Sequence, residues 1–333
     1  MNTTTCLPMQ KMLSIPVVFL GDDLDLGQRL SACFAAMIWP EEYRIAPVFY
    51  GNPEPDWRTV LPQAGRGMVF VEVSTSGLEI KSALIRELRA YNPNLQIALM
   101  ADDDTDYFSI AQDFSIGNIF KKQGFDTSML RALIIRLLTG NIFGFAPYFP
   151  HGYAVGPLFR TFVGRVVVDD VIEECFDACK PYVNLKEVST FKMFLHELLT
   201  NTFSYAIEGI TPEDRDSKHL QTRPVVNIEE RRAFKISLVT DDEKAGFSVQ
   251  DSTGNLSMLR VLQKLRRQSR IGDEKMPPGV WDESGRGISM VYRYSRLVVN
   301  ILKDVRTEII FLQYHRPELN RYESIIISEI QPF

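Results

Sequence analysis

The sequence predicts an α/β unit followed by an α+β unit, and three observations carry that reading. Residues 15 to 140 alternate short apolar runs with amphipathic stretches, the pattern of a parallel sheet wrapped by helices. A stretch dense in Gly, Pro and aromatic residues follows. Beyond it two helical stretches precede apolar runs joined by tight turns, which is the order of a mostly antiparallel sheet under a helical layer.

The elements of the first unit follow in order. "IPVVFLGDD" is a buried strand ending in acids, "LGQRLSACFAAM" a helix, "YRIAPVFYG" a strand and "GMVFVEVS" a strand. "IKSALIRELRAYN" is a helix, "LQIALMADDD" a strand, "YFSIAQDFSI" a helix, "NIFKK" a strand and "DTSMLRALIIRLLTG" a helix. In such a sheet the chemistry gathers at the strand C-termini. Acids cluster there.

Residues 141–157, within "NIFGFAPYFPHGYAVGPLFR", carry no sustained period, and a flexible linker would be Ser-rich or charged instead. They are expected to form an ordered connector, with a domain boundary near 150 and the second unit over 158–333. That unit reads as helices "VIEECFDACKPY" and "STFKMFLHELLTNTFSYAI", strands "FKISLVT" and "GFSVQDS", and helix "LSMLRVLQKLRRQ". Helix "GISMVYRYS" and strands "RLVVNILKD" and "TEIIFLQY" complete it, and the charged, Pro-bearing segment 209–232 reads as an insertion or loop.

Composition narrows the function classes. With 333 residues, 45% hydrophobic and 24% charged, the chain is long enough for two domains and is globular rather than disordered. A net charge of −5 leaves no basic footprint for direct nucleic-acid binding. No apolar run reaches the roughly 18 residues of a membrane span and the N-terminus lacks a signal-peptide core, so a cytoplasmic location is expected. Cys175 and Cys179 stand at i, i+4 without further ligands at metal spacing, which reads as a pair of structural thiols.

Within "HELLTNTFSYA", Glu197, Asn201 and Tyr205 fall on one helical stripe while Leu195, Leu198, Leu199, Phe203 and Ile207 form a second, apolar one. The polar stripe would line a cleft beside the core. Asp251 ends a strand and is followed by Gly254; Gly285 and Gly287, with Arg286 between them, open a helix; Thr307 and Glu308 lie on a last strand. This ordered set resembles the motifs of Bergerat-fold (GHKL) ATPases, over roughly residues 158 to 315, and within them most resembles the anti-sigma-factor serine kinases and the ATP-binding domains of histidine kinases.

The resemblance implies a Bergerat-fold α/β sandwich with a mixed, mostly antiparallel sheet, binding ATP and Mg2+. It implies Asn201 as the Mg2+ ligand, Glu197 as catalytic base, Asp251 as acceptor for the adenine amino group, Thr307 as its support, Gly254 as the close backbone approach to the base, and Tyr205 as a further nucleotide-binding residue. Gly285, Arg286 and Gly287 would meet the phosphates at a helix N-terminus, and the loop over 269–284 would close as a lid. In the family the first glycine stands two residues after the aspartate; here Thr253 takes that place and Gly254 follows.

Residues 15–140 resemble the receiver domain of response regulators: Asp22 and Asp23 after strand one, an acid ending strand three, and a lysine after strand five. The acid is Glu72 where the family has the phosphoacceptor aspartate, Met100 replaces the phosphate-binding Ser or Thr, and Lys122 or its neighbour Lys121 is the lysine. The longer Glu72 spoils in-line attack and Met100 cannot bond a phosphate, so a degenerate receiver is expected. Glu72 then either imitates the phosphorylated charge by facing Lys122 or is an acid left over in a dead site.

The function expected from both resemblances is a cytoplasmic signal-transduction regulator. Its pseudo-receiver controls an ATP-dependent serine/threonine kinase domain acting on a regulatory protein partner, an anti-sigma antagonist or sigma-like protein. The alternatives are an ATP-dependent binding module without catalysis and a dimeric scaffold.

Overall fold

The computed structural model describes residues 15–37, 39, 46–47, 57–74, 77–102, 105–124, 126–182, 188–207, 209, 225–269, 288, 292, 295–321 and 324–332. The first half builds β1 (Pro16–Leu20), α1 (Leu24–Ala36), β2 (Ala46–Pro47), β3 (Met68–Val73) and α2 (Leu78–Tyr91). It continues through β4 (Gln96–Ala101), α3 (Tyr107–Asp113), β5 (Asn118–Lys121) and α4 (Thr127–Thr139). The strands lie in the order β2-β1-β3-β4-β5, all parallel, which is the doubly wound order of flavodoxin-like and receiver folds.

Local chemistry accounts for these elements. Asp23 caps α1 by accepting from the Leu26 N–H at 2.9 Å, and Leu26, Leu30 and Phe34, four apart, face the core. Asp126 caps α4 through the N–H groups of Ser128 and Met129. Strand side chains alternate: Val17 and Phe19 join one apolar cluster with α1 and α4, while Val18 and Leu20 join another with α2 and α3.

The second half contains β6 (Ala154–Phe162), β7 (Gly164–Val167), α5 (Val168–Cys179), α6 (Val188–Asn201), β8 (Val225–Ile228), β9 (Phe234–Thr240) and β10 (Lys244–Asp251). Then come α7 (Met258–Gln268), β11 (Arg296–Leu302), β12 (Arg306–Tyr314) and β13 (Ser324–Ile330). Strands β11-β12-β10-β9-β6 pair antiparallel, and β7 pairs with β8 in a separate ribbon. The α/β class holds. The strands that the sequence assigns to two sheets form one sheet of eleven strands, because β13 pairs antiparallel with β5 and parallel with β11.

Four strands depart from the sequence reading. β6 begins inside the segment expected to be an ordered connector without a strand period, β7 lies where no element is expected, β8 lies in the segment read as insertion or loop, and β13 is likewise not expected. The rest of the connector is packed: Phe145, Tyr148 and Phe149 share a cluster with Val239, Val298, Ile310 and Leu312, covering that face of the sheet. The opposite face carries α5, α6 and α7. Among the described residues, no helix is long and apolar enough to cross a membrane.

A polar network crosses the junction. The Arg296 guanidinium, from β11, donates to the Asp126 carboxylate at 3.1 Å, with both side chains almost fully buried. Ser128 meets the Tyr314 hydroxyl at 3.2 Å, and Arg296 also donates to the Leu319 carbonyl. Burial raises the Asp126 pKa, but the Arg296 charge, the Ser128 and Tyr314 hydrogen bonds and the Lys244 charge outweigh it, so the net displacement is downward.

Candidate functional site

The first site lies at the C-terminal ends of β1, β3, β4 and β5. Glu72, Met100, Phe120 and Lys122 share the face of the sheet toward α1 and α4, as the two-residue period requires. The Glu72 carboxylate is fully engaged: Lys122 Nζ donates to Oε1 at 2.7 Å, and the N–H groups of Asp22 and Asp23 donate to Oε2 at 2.6 and 3.0 Å. Lys122 also donates to Asp102 at 2.7 Å. Gly21 makes this possible, since a Cβ there would sit 2.5 Å from Glu72 Oε2.

The two acids after β1 are turned to other tasks. Asp23 caps α1, and the Asp22 carboxylate, largely exposed, lies 3.7 Å from Lys81. Lys122 rather than Lys121 enters the pocket, because Lys121 points to the other face and stacks over the Tyr107 ring. Met100 is fully buried beside Glu72 and adds no polar atom. Among the described residues, no group of three or more His, Cys, Asp or Glu is arranged to hold a metal ion.

The electrostatics follow from those contacts. Burial raises the Glu72 pKa, yet the Lys122 hydrogen bond and charge and the two backbone donors overcome it and leave it below the ordinary carboxylate value. For Lys122 burial lowers the pKa, and Asp102 and Glu72 together more than reverse that, so it lies above the ordinary value. Asp102 is the residue that sequence reasoning did not single out. It is the first of three consecutive acids after β4, and the sequence carries no signal of which of them turns inward.

The second group of residues lies in the other half. Glu197 and Asn201 are one turn apart on α6, which is held to the sheet by Leu195, Leu198, Leu199 and Phe203. The helix widens into a π turn over Thr202–Ile207, so the four-residue stripe ends at Asn201; the Tyr205 side chain is outside the described residues. Glu197 Oε2 is buried without a hydrogen-bond partner.

Asp251 ends β10 and stands directly opposite Thr307 on β12. Both alternate in step with Phe247, Val249 and Phe311, and so face the side of the sheet that α6 covers. Asp251 Oδ1 accepts from the Thr253 N–H at 2.8 Å, the Thr253 hydroxyl at 2.7 Å and the Gly254 N–H at 3.3 Å. Burial nevertheless pushes its pKa up. The Thr307 hydroxyl is buried without a partner.

Gly254 is required by the chain itself: its φ is +61°, and a Cβ would strike the backbone of the turn at Leu302, Asp304 and Val305. Gly285, Arg286, Gly287 and the expected lid, apart from Ser269, lie outside the described residues. The paired thiols are buried; burial, with the Glu174 charge, pushes Cys175 up to about 12, and burial and Cys175 push Cys179 up as well, which leaves both inert.

No protein-family model matches the chain. No curated protein matches it either. Solved structures do. A Salmonella typhimurium RcsB response regulator, in work on conformational dynamism for DNA interaction, matches at 15% identity over 63% of this chain and all of that one, with a TM-score of 0.28. A second structure of the same regulator matches at 15% identity over 62% of this chain and all of that one, with a TM-score of 0.27. A GCN5-related region of a fungal multi-domain GH3 β-N-acetylglucosaminidase matches at 11% identity over 87% of this chain and 29% of that one, with a TM-score of 0.26. Scores this low leave the receiver-like reading resting on strand order and pocket.

Proposed function

We propose that the chain is a signal-transduction regulator in which a receiver-like half, holding its own carboxylate in place of a phosphoryl group, is joined to a half that binds ATP. The observation that carries the first part is the Glu72 carboxylate, met by Lys122 and by two backbone N–H groups. A pocket so filled needs no phosphorylation. Exposure to acetyl phosphate should leave the protein unmodified, and a stable acyl phosphate at Glu72, read by mass spectrometry, would overturn this part.

ATP binding is supported by Asp251 and Thr307 on the face of the sheet that α6 covers and by two buried oxygens, Glu197 Oε2 and Thr307 Oγ1, that have no hydrogen-bond partner among the described residues. Such orphans cost free energy unless a ligand or water meets them. Asp251 would accept from the adenine amino group, Thr307 would support it, and Asn201, a neutral oxygen donor, would hold Mg2+. When bound, Mg2+-ATP would supply the γ-phosphoryl group, with ADP as the leaving group. Glu197 would take the proton from a hydroxyl of a partner protein.

A second reading is favoured by the Asp251 turn. Its three donors and the backbone contact of Gly254 give both residues a structural task, so this half could serve as a scaffold without nucleotide. Thermal unfolding separates the two. Saturating Mg2+-ATP at 100 times its dissociation constant stabilises by about 2.7 kcal/mol, and Mg2+-GTP should not match it. Glu197→Ala should keep that shift while abolishing phosphoryl transfer. Absence of any shift leaves the scaffold.

A further inference from the structure

A cavity of about 340 Å3 opens at the other end of the junction, beside the first residues of β4 and β5 and the last residues of β13. Three arginines line it: Arg66, Arg89 and Arg136. Their partners are neutral. Arg66 donates to the carbonyls of Leu137 and Leu138 at 2.5 and 2.8 Å, and Arg89 to those of Leu95 and Pro93 at 3.0 and 3.2 Å.

Arg136 is the telling residue. It is 4% exposed, its guanidinium lies 5.1 Å over the Tyr148 ring, its Nη1 reaches the Ser328 hydroxyl on the cavity wall at 3.4 Å, and among the described residues its buried Nε and Nη2 have no hydrogen-bond partner. Among the described residues one carboxylate lines the cavity, Glu329, and it is held by the Met258 N–H at 2.7 Å. Glu308 lies near enough to Arg136 to offset part of its charge, yet its Oε2 accepts from Asn300 and Gly144. A buried guanidinium with two idle donors is costly unless an anion reaches it.

We infer that this cavity binds a small, multiply charged anion bearing phosphate or carboxylate groups, and that the bound anion joins the two halves of the sheet. Its volume is at the lower end of ordinary ligand pockets, about 300 to 1,000 Å3, which suits a compact metabolite. Guanidinium forks match the oxygens of both groups. The arginines come from the first half of the chain and Ser328 and Glu329 from the last strand, so occupancy tightens the seam between β5 and β13.

The test uses the full chain, without Mg2+, and isothermal titration with pyrophosphate and with citrate at constant ionic strength. Saturable binding of either, stronger than that of chloride, supports the inference, and the tighter one names the group. Arg66→Gln and Arg89→Gln, each checked for native circular dichroism, should weaken that binding about tenfold to a hundredfold, the worth of a charged hydrogen bond. Arg136→Lys, which keeps the charge and loses the fork, should weaken it as well. Failure of both anions to bind at millimolar concentration overturns the proposal, as does binding unchanged in all three variants. Asp251→Asn, which touches only the nucleotide reading, should leave pyrophosphate binding intact, so the two proposals fail separately.

Discussion

Lys122→Met gives the sharpest test of the filled Glu72 pocket. The Glu72 and Lys122 side chains are each 9% exposed and meet at 2.7 Å, so removing the ammonium strands a buried carboxylate. Breaking a buried pair from one side costs about 3 to 5 kcal/mol. Here Glu72 keeps two backbone donors, which puts the expected loss near the lower end, about 3 kcal/mol. Glu72→Gln leaves Lys122 its Asp102 partner and should cost about 1 to 2 kcal/mol.

The double variant should lose less than the sum, with a coupling of about 2 kcal/mol. Urea unfolding followed by tryptophan fluorescence measures all four corners of the cycle. The sign with pH follows from the shifts. Glu72 lies below its ordinary value, so its contribution is full above the unfolded pKa and fades as pH falls through the folded one. Lys122 lies above its ordinary value, so its contribution is full below the unfolded pKa and is lost as pH rises through the folded one. The coupling should therefore vanish at both extremes. A coupling under about 0.5 kcal/mol at neutral pH, the worth of an exposed pair, would refute the reasoning.

The remaining predictions are brief. Gly21→Ala should expel the Glu72 carboxylate from its backbone donors, since the new methyl would lie 2.5 Å from Oε2, and amide exchange at Asp22 and Asp23 should accelerate. Gly254→Ala combines a left-handed backbone with a clash against the 302–305 turn, and should cost at least about 1 to 2 kcal/mol in urea unfolding. Arg296→Met takes the buried Asp126 charge from its guanidinium but leaves its Ser128 and Met129 donors, a loss of about 3 kcal/mol at neutral pH that shrinks in acid as Asp126 protonates.

Much of the first half was legible because strand and helix periods are local. The end of β3 follows from "GMVFVEVS", and with it Glu72 falls in the pocket; the lysine was narrowed to two neighbours and the two-residue period of β5 chooses Lys122. Asp102 stayed hidden since three acids in a row give no sign of which turns inward. β6 was illegible for a physical reason: it is an edge strand with a register shift between Val155 and Phe159, and Val155 and Phe159 are themselves exposed, so its residues do not alternate. The widening of α6 after Asn201 has no sequence signature either. "SIIISEI" carries a plain strand signal, but local apolar pattern does not name a partner, and the partners on its two sides come from different halves of the chain.

That last strand decides how the halves can influence one another. Separating them would bare the edges of β5 and β13, so that ladder and the buried Asp126–Arg296 pair hold them together. Contiguity of this kind passes a signal only if some element has two states that a ligand can bias. The Glu72 pocket, with its acceptors and donors already matched, presents one state. The cavity at Arg136 differs, because its donors are unmet and an anion there would change the free energy of the seam itself. If the proposed anion binds, the junction of β5 and β13 is the place where a ligand would bias the fold, and the matched Glu72 pocket would stay unchanged beside it.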